Sequence, residues 1–241
     1  MASSSNFVAT LELLGVQFEA THGIRIEIVS GSTGKLYAQI LAGAPYDVFL
    51  SADTHRPTLL SENGMAALQF PYALGRLVLW GSQATADTES LVSANSEEEF
   101  SRPLRRENLR RLALANPQLA PYGEAAEAVM DYLGVTQALE NRLVYAENIG
   151  QAHAMVATGN AELGFTAQSY LIAYLATLEH AAGSSVESWL VPAAWHPPIT
   201  QDLVWLKRAK HNTAAVAFVE FMRSAPARDI IRRSGYDLPQ E

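Results

Sequence analysis

The sequence predicts an α/β protein arranged as two successive series of strands and helices with mostly parallel sheets. Hydrophobic spacing switches along the chain between the period of 2 of a half-buried strand and the 3.6 of an amphipathic helix. The 241 residues allow one large domain or two smaller lobes. Long apolar strands join the two series, which suggests two α/β lobes with a cleft between them.

The first series opens with Phe7, Leu11, Leu14 and Phe18, the spacing of a helix, which Gly23 ends. Ile24, Ile26 and Ile28 alternate with Arg25 and Glu27, so residues 24–28 are expected to form a strand. Gly31-Ser32-Thr33-Gly34 precedes a helix carrying Leu36, Ile40 and Leu41. Residues 47–50 and 76–80 read as strands. The segment from Gln83 to Arg106 is polar and reads as a solvated helix and loop. The second series has strands at residues 112–115, 143–145 and 163–165, with helices expected over 123–133 and 149–158. A strand at residues 203–206 and two helices close the chain. Trp80, Trp189, Trp195 and Trp205 read as core.

Composition excludes several functions. A net charge of −8, from 17 Lys+Arg against 25 Asp+Glu, argues against a nucleic-acid binder. The chain has no cysteine, which excludes disulfide scaffolds, zinc ribbons and thiol catalysts. No apolar run reaches the 18 or so residues of a membrane span. Met1-Ala2-Ser3-Ser4-Ser5 has neither the basic nor the apolar region of a secretory leader. Gly34-Lys35 is not a P-loop, since Val29 and Leu36 occupy positions that need Gly and Ser/Thr. His22, His55, His153, His180, His196 and His211 lack the i, i+4 pairing of a helical metal site and read as surface or packing residues. Asp47 and Asp53 flank a strand and leave an acid/base or metal pair open, with Asp53 alternatively a helix cap.

The strand-to-helix turns are the informative positions, because ligands of open α/β sheets bind beyond the carboxyl ends of the strands. These turns are Ser5-Asn6, Gly31-Ser32-Thr33-Gly34, Pro121-Tyr122-Gly123 and Asn148-Ile149-Gly150. All are uncharged. Each taken alone fits an ordinary helix cap. Together they suggest an anion held by free N–H groups and the positive ends of helix dipoles, without a formal cation.

Residues 43–53, Gly-Ala-Pro-Tyr-Asp-Val-Phe-Leu-Ser-Ala-Asp, closely resemble a sequence pattern of the periplasmic molybdate-binding proteins of ABC transporters. Ser5-Asn6-Phe7, Gly31 to Gly34, Gly75 to Trp80, Asn116-Pro117, Ala146 to Ile149 and Gly235-Tyr236 follow in family order. The resemblance implies a two-lobed periplasmic-binding-protein fold of type II with mixed, mostly parallel sheets. Lobe I would be residues 1–78 plus 202–241 and lobe II residues 79–201, with the ligand cleft between them. Two hinge crossovers, Leu77-Val78-Leu79 and Leu203-Val204-Trp205, would join them. It also implies a ligand set: the hydroxyl of Ser5, the backbone N–H of Asn6 with its amide, Thr33 (Ser32 if the register slips by one), and the backbone N–H groups of Tyr122 and Ile149. Many members carry Tyr near Phe165-Thr166, and its absence leaves those two outside the set. The apolar first strand of the family is here reduced to residues 1–4.

By the same resemblance the chain is a receptor, not an enzyme. It would take molybdate or tungstate as ligand, need no cofactor and no directly bound metal cation, and deliver to the membrane permease of an ABC transporter. It would act in the periplasm as a monomer, with the leader absent from this chain, and bind no nucleic acid. Sulfate or another small oxyanion is the alternative ligand. An enzyme using Asp47, Asp53 or a cleft histidine is the weaker alternative, and a regulator's sensing domain lacks a basic DNA-binding segment to support it. Ser5→Ala and Thr33→Ala are each expected to weaken anion binding by about 1–3 kcal/mol, while Ile149→Ala should change little. Calorimetric titration checks this, and unchanged affinity in both of the first two would reduce those turns to helix caps.

Overall fold

The computed structural model describes residues 1–81, 96–178 and 186–240. In chain order the first elements are β1 (Ala2–Ser4), α1 (Val8–His22), β2 (Val29–Gly31), α2 (Thr33–Leu41), β3 (Val48–Leu50), α3 (His55–Glu62), β4 (Ala66–Gly75) and β5 (Leu77–Gly81). Then follow α4 (Glu97–Ser101), β6 (Leu112–Ala115), α5 (Pro121–Tyr132), α6 (Thr136–Leu139), β7 (Leu143–Ala146), α7 (Ile149–Ala157), β8 (Leu163–Ala167) and α8 (Gln168–Leu178). The last are β9 (Glu187–Leu190), β10 (Ile199–Leu206), α9 (Thr213–Phe221) and α10 (Ala225–Arg233). Residues 83–95 of the polar segment, and His180, lie outside the described residues.

The chain forms two compact units, Met1–Gly75 with Ile199–Glu241, and Arg76–Pro198. It passes from one to the other at Gly75 to Arg76 and back at Pro198 to Ile199. Leu77-Val78-Leu79 pair within the second unit's sheet and Leu203-Val204-Trp205 within the first unit's sheet.

The first unit has a five-stranded sheet of order β2-β1-β3-β10-β4. β1 runs parallel to β2 and β3, while β10 is antiparallel to β3 and β4. Both faces are covered. Phe7, Leu11, Leu14 and Phe18 pack with Leu203, Phe218 and Ile231 on one side. On the other, Leu36, Ile40 and Leu60 pack with Phe49, Val204 and Leu206. Burial on both faces explains why β3 is a continuous apolar run rather than an alternating one. Gly23 ends α1 at φ 68°, the left-handed conformation expected of a helix-ending glycine.

The second unit repeats this plan with order β7-β6-β8-β5-β9. β6 is parallel to β7 and β8, and β5 is antiparallel to β8 and β9. Trp80, Phe100, Leu114, Tyr122, Val129 and Phe165 lie in its buried interior.

Three local readings change. Residues 24–28 are not a strand: the ladder forms only at β2. The isoleucines do alternate in burial and pack on the α1 core, so period 2 here reports one buried face without hydrogen-bonded pairing. β4 goes unpredicted because Pro71 interrupts its pattern. An edge strand tolerates proline, and the register with β10 shifts beside it, between Gln201 and Asp202. Finally, residues 2–4 form a complete interior strand, with Ala2 paired to both Val29 and Phe49.

Gly123 fixes how closely α5 approaches β6. A Cβ there would stand 2.3 Å from the Ala115 carbonyl oxygen and 2.8 Å from Pro117 N, both backbone atoms that cannot swing aside. Gly123→Ala is therefore expected to lower unfolding stability by about 1–3 kcal/mol, read from the urea midpoint. An unchanged midpoint would contradict the close approach.

Candidate functional site

In the first unit, β2, β1 and β3 end at the same sheet edge, and each runs into a helix start. β1 continues into a tight turn at Ser5–Phe7 and then α1, β2 leads to α2, and β3 leads through Ser51-Ala52-Asp53 to α3. The first N–H groups of a helix have no partner within it, so three such starts give one edge a concentration of donors and positive dipole ends. Ser5, Asn6 and Thr33 are brought together here, and all three are buried.

Ser32 is the N-cap of α2, its Oγ accepting the Lys35 N–H at 3.4 Å, which leaves Thr33 as the first helical residue. Thr33 Oγ1 lies 2.7 Å from Ser4 Oγ. The side-chain amide of Asn6 is committed inside the unit. Its Nδ2 donates to Gln201 Oε1 at 2.9 Å and to Tyr236 Oη at 3.2 Å, while Tyr236 donates back to the Asn6 carbonyl at 2.6 Å. A donor role for Asn6 thus falls to its backbone N–H. Tyr72 completes the network by donating to Gln201 Oε1 at 3.0 Å.

Asp47 and Asp53 stand at opposite ends of β3 and serve structure. Asp53 Oδ1 accepts the Arg56 N–H at 3.0 Å, capping α3, and Oδ2 pairs with the Arg56 guanidinium. Asp47 is held by Arg208 at 3.0 Å and Asn212 at 3.3 Å. Among the described residues no group of His, Cys, Asp and Glu could hold a metal ion.

In the second unit, β7, β6 and β8 likewise end together. The Asn116 N–H donates to the Ala146 carbonyl at 2.7 Å, tying the exits of β6 and β7. α5 starts at Pro121, whose missing N–H costs nothing at that position, so Tyr122 occupies the second helical position, 1% exposed. α7 starts at Ile149 behind the cap Asn148, whose Oδ1 accepts the Gln151 N–H at 3.0 Å, and Gln151 Oε1 accepts the Glu147 N–H in return. The structure therefore places Tyr122 and Ile149 at the same edge of this unit. It adds Tyr170, from α8, over the start of α7: a Cβ on Gly150 would lie 2.4 Å from its hydroxyl. No sequence signal marks Tyr170, since it sits inside a helix far along the chain. Phe165 and Thr166 are fully buried within β8, and Thr166 Oγ1 bonds His153 Nδ1 at 3.1 Å.

Two α/β units, each gathering helix starts at one sheet edge, have the architecture of a solute-binding protein. A family model described as "Bacterial extracellular solute-binding protein" matches residues 1–237, and the chain belongs to that family. It is similar to the molybdate-binding protein ModA of Azotobacter vinelandii, 37% identical over 241 residues covering 99% of this chain and 89% of that protein. It is also similar to the molybdate-binding protein ModA of Rhodobacter capsulatus, 38% identical over 238 residues covering 98% of this chain and 86% of that protein. Among solved structures, the periplasmic molybdate-binding protein of Azotobacter vinelandii superposes with a TM-score of 0.86 at 36% identity, covering 99% of this chain and 98% of that one. The family consists of binding proteins, not enzymes.

On α7, the His153 ring stacks on Trp80 at 4.3 Å and on Tyr170 at 5.2 Å. Desolvation pulls its pKa down to about 4, so it is neutral at pH 7. An unfolded histidine titrates near 6.5 and binds the proton more tightly, so this stability is full above pH 6.5 and is lost as pH falls toward about 4. The loss should be on the order of 3 kcal/mol. His153→Phe is expected to flatten the acid limb of the stability–pH curve between those values. Parallel curves for the two proteins would contradict the buried neutral imidazole.

Proposed function

We propose that this chain is the molybdate receptor of an ABC transporter, holding the oxyanion by neutral hydrogen-bond donors from the helix starts of both units. The convergence of helix N-termini at one edge of each sheet carries the reading. The molybdate-binding names of relatives 37% and 38% identical over almost the whole chain support it. The two compact units are its two lobes. The donor set is the Ser5 hydroxyl, the backbone N–H groups of Asn6, Tyr122 and Ile149, and Thr33. Tungstate, of the same shape and charge, binds in the same way. The receptor works in the periplasm as a monomer and hands its ligand to a membrane permease.

The energetics are sufficient. A dissociation constant from micromolar to nanomolar requires about −8 to −12 kcal/mol. A hydrogen bond to a charged group contributes roughly 1.5–3 kcal/mol net. Five such bonds give roughly 8–15 kcal/mol, which reaches that range after several kcal/mol of association cost. The donor-only chemistry also selects by protonation. Monohydrogen phosphate carries an O–H that would need an acceptor, and leaving it unmatched costs about 1–3 kcal/mol.

Thermal melts with molybdate, tungstate, sulfate and phosphate test the proposal. At 100 times its dissociation constant the true ligand stabilises by roughly 2.7 kcal/mol. Molybdate and tungstate are expected to raise Tm, and phosphate to leave it unchanged. No shift with either metal oxyanion overturns the reading, and a shift with sulfate alone reassigns the ligand.

A further inference from the structure

Ser4 lies outside the donor set, yet it is the residue on which Thr33 rests. It ends β1, is 2% exposed, and pairs in register with Gly31 of β2. Its Oγ accepts the Ala52 N–H at 3.1 Å and lies 2.7 Å from Thr33 Oγ1. Among the described residues, Ser4 Oγ has these two partners and Thr33 Oγ1 has Ser4 alone.

A hydroxyl offers one proton and two lone pairs. One lone pair of Ser4 is taken by Ala52, which leaves two orientations of the Ser4–Thr33 bond. If Thr33 donates to Ser4, both Ser4 lone pairs are filled and its own buried proton has no acceptor. Thr33 then turns an oxygen lone pair toward any incoming anion. If Ser4 donates to Thr33, every Ser4 group is paired and the Thr33 proton is left over for a ligand. A bound oxyanion satisfies that last proton, so only the second orientation completes every bond.

We infer that Ser4 is a positioning residue for anion binding: it turns Thr33 into an obligate donor through the relay Ala52 N–H to Ser4 Oγ–H to Thr33 Oγ1–H to the anion. The inference rests on the proposed oxyanion reading and adds how one of its donors is oriented. Hydrogen bonds in such a chain polarise one another, so the terminal proton is a stronger donor than an isolated threonine hydroxyl. The relay also gives the Ser51-Ala52-Asp53 end of the 43–53 pattern a part in recognition. It acts there through the Ala52 backbone N–H.

A double-mutant cycle read by calorimetric titration with molybdate tests this. Ser4→Ala is expected to weaken binding about tenfold in the wild-type background and less than twofold in a Thr33→Ala background, because Ser4 acts only through Thr33. Thr33→Ser, which keeps the hydroxyl, should restore the sensitivity to Ser4→Ala. An equal loss in both backgrounds would show that Ser4 merely supports Ala52 and the sheet, and no loss at all would remove it from recognition. Either result overturns the relay. If Ser4→Ala does not fold, Ser4→Cys keeps the side-chain volume with a weak S–H donor and carries the same cycle. Wild-type protein that binds none of molybdate, tungstate or sulfate overturns the oxyanion reading itself and the relay with it, whereas binding without coupling overturns the relay alone.

Discussion

Helix starts gathered at one sheet edge are the constraint on which this molecule is organised. A parallel strand order in which the first strand lies between the second and third sends three chain segments out of the same sheet edge. Each then begins a helix, so the first-turn N–H groups of all three, which have no partner within their own helix, collect there. The chain makes this arrangement in both units, with β2-β1-β3 and with β7-β6-β8. Much of the local sequence follows from the need to bring those starts close. β1 is built from Ala2, Ser3 and Ser4, small enough to lie fully buried and hydroxylated enough to bond Ala52 and Thr33. Gly123 and Gly150 lack side chains where a Cβ would run into the Ala115 carbonyl and the Tyr170 hydroxyl. Pro121 occupies the one helical position where a missing N–H goes unnoticed.

The same arrangement reconciles a net charge of −8 with an anionic ligand. Net charge acts over distance and is screened beyond about 8–10 Å at physiological salt, while aligned N–H groups act at contact. The arginines nearest the carboxylates are spent locally. Arg56 pairs with Asp53, Arg208 with Asp47, and Arg106 with the buried Glu187 at 2.9 Å. Those pairs hold loops and caps in place. The Asn6, Gln201, Tyr72 and Tyr236 network has a related role. It anchors the first donor turn to β10 and β4, the two strands by which the chain enters and leaves the first unit.

The sequence made the class of fold legible because its strands and helices differ in hydrophobic period, and both sheets are covered on two faces. It misled where period and pairing part company, as at Ile24, Ile26 and Ile28, which bury one face without joining the ladder. It was silent where a single residue hid a pattern, as Pro71 does in β4. The helix-start residues could be listed from turn chemistry, but their partners could not. Ser4 meets Thr33 across 29 residues, and Gln201 and Tyr236 meet Asn6 across 195 and 230, contacts that only the tertiary fold makes. That is why the resemblance offers the Asn6 amide as a ligand donor although the fold consumes it, and why nothing in the sequence marks Ser4. Tyr170 escaped for the same reason.

The proposal turns on backbone N–H groups at helix starts as the donors to the anion. Amide-resolved NMR of uniformly ¹⁵N-labelled protein titrated with molybdate tests it most directly, since a proton donated to an oxyanion moves downfield. The account predicts downfield shifts at the amides of Asn6, Tyr122 and Ile149, with the side-chain resonances of arginine and lysine unmoved. Shifts confined to arginine and lysine side chains, or to the amides of one unit alone, would contradict it.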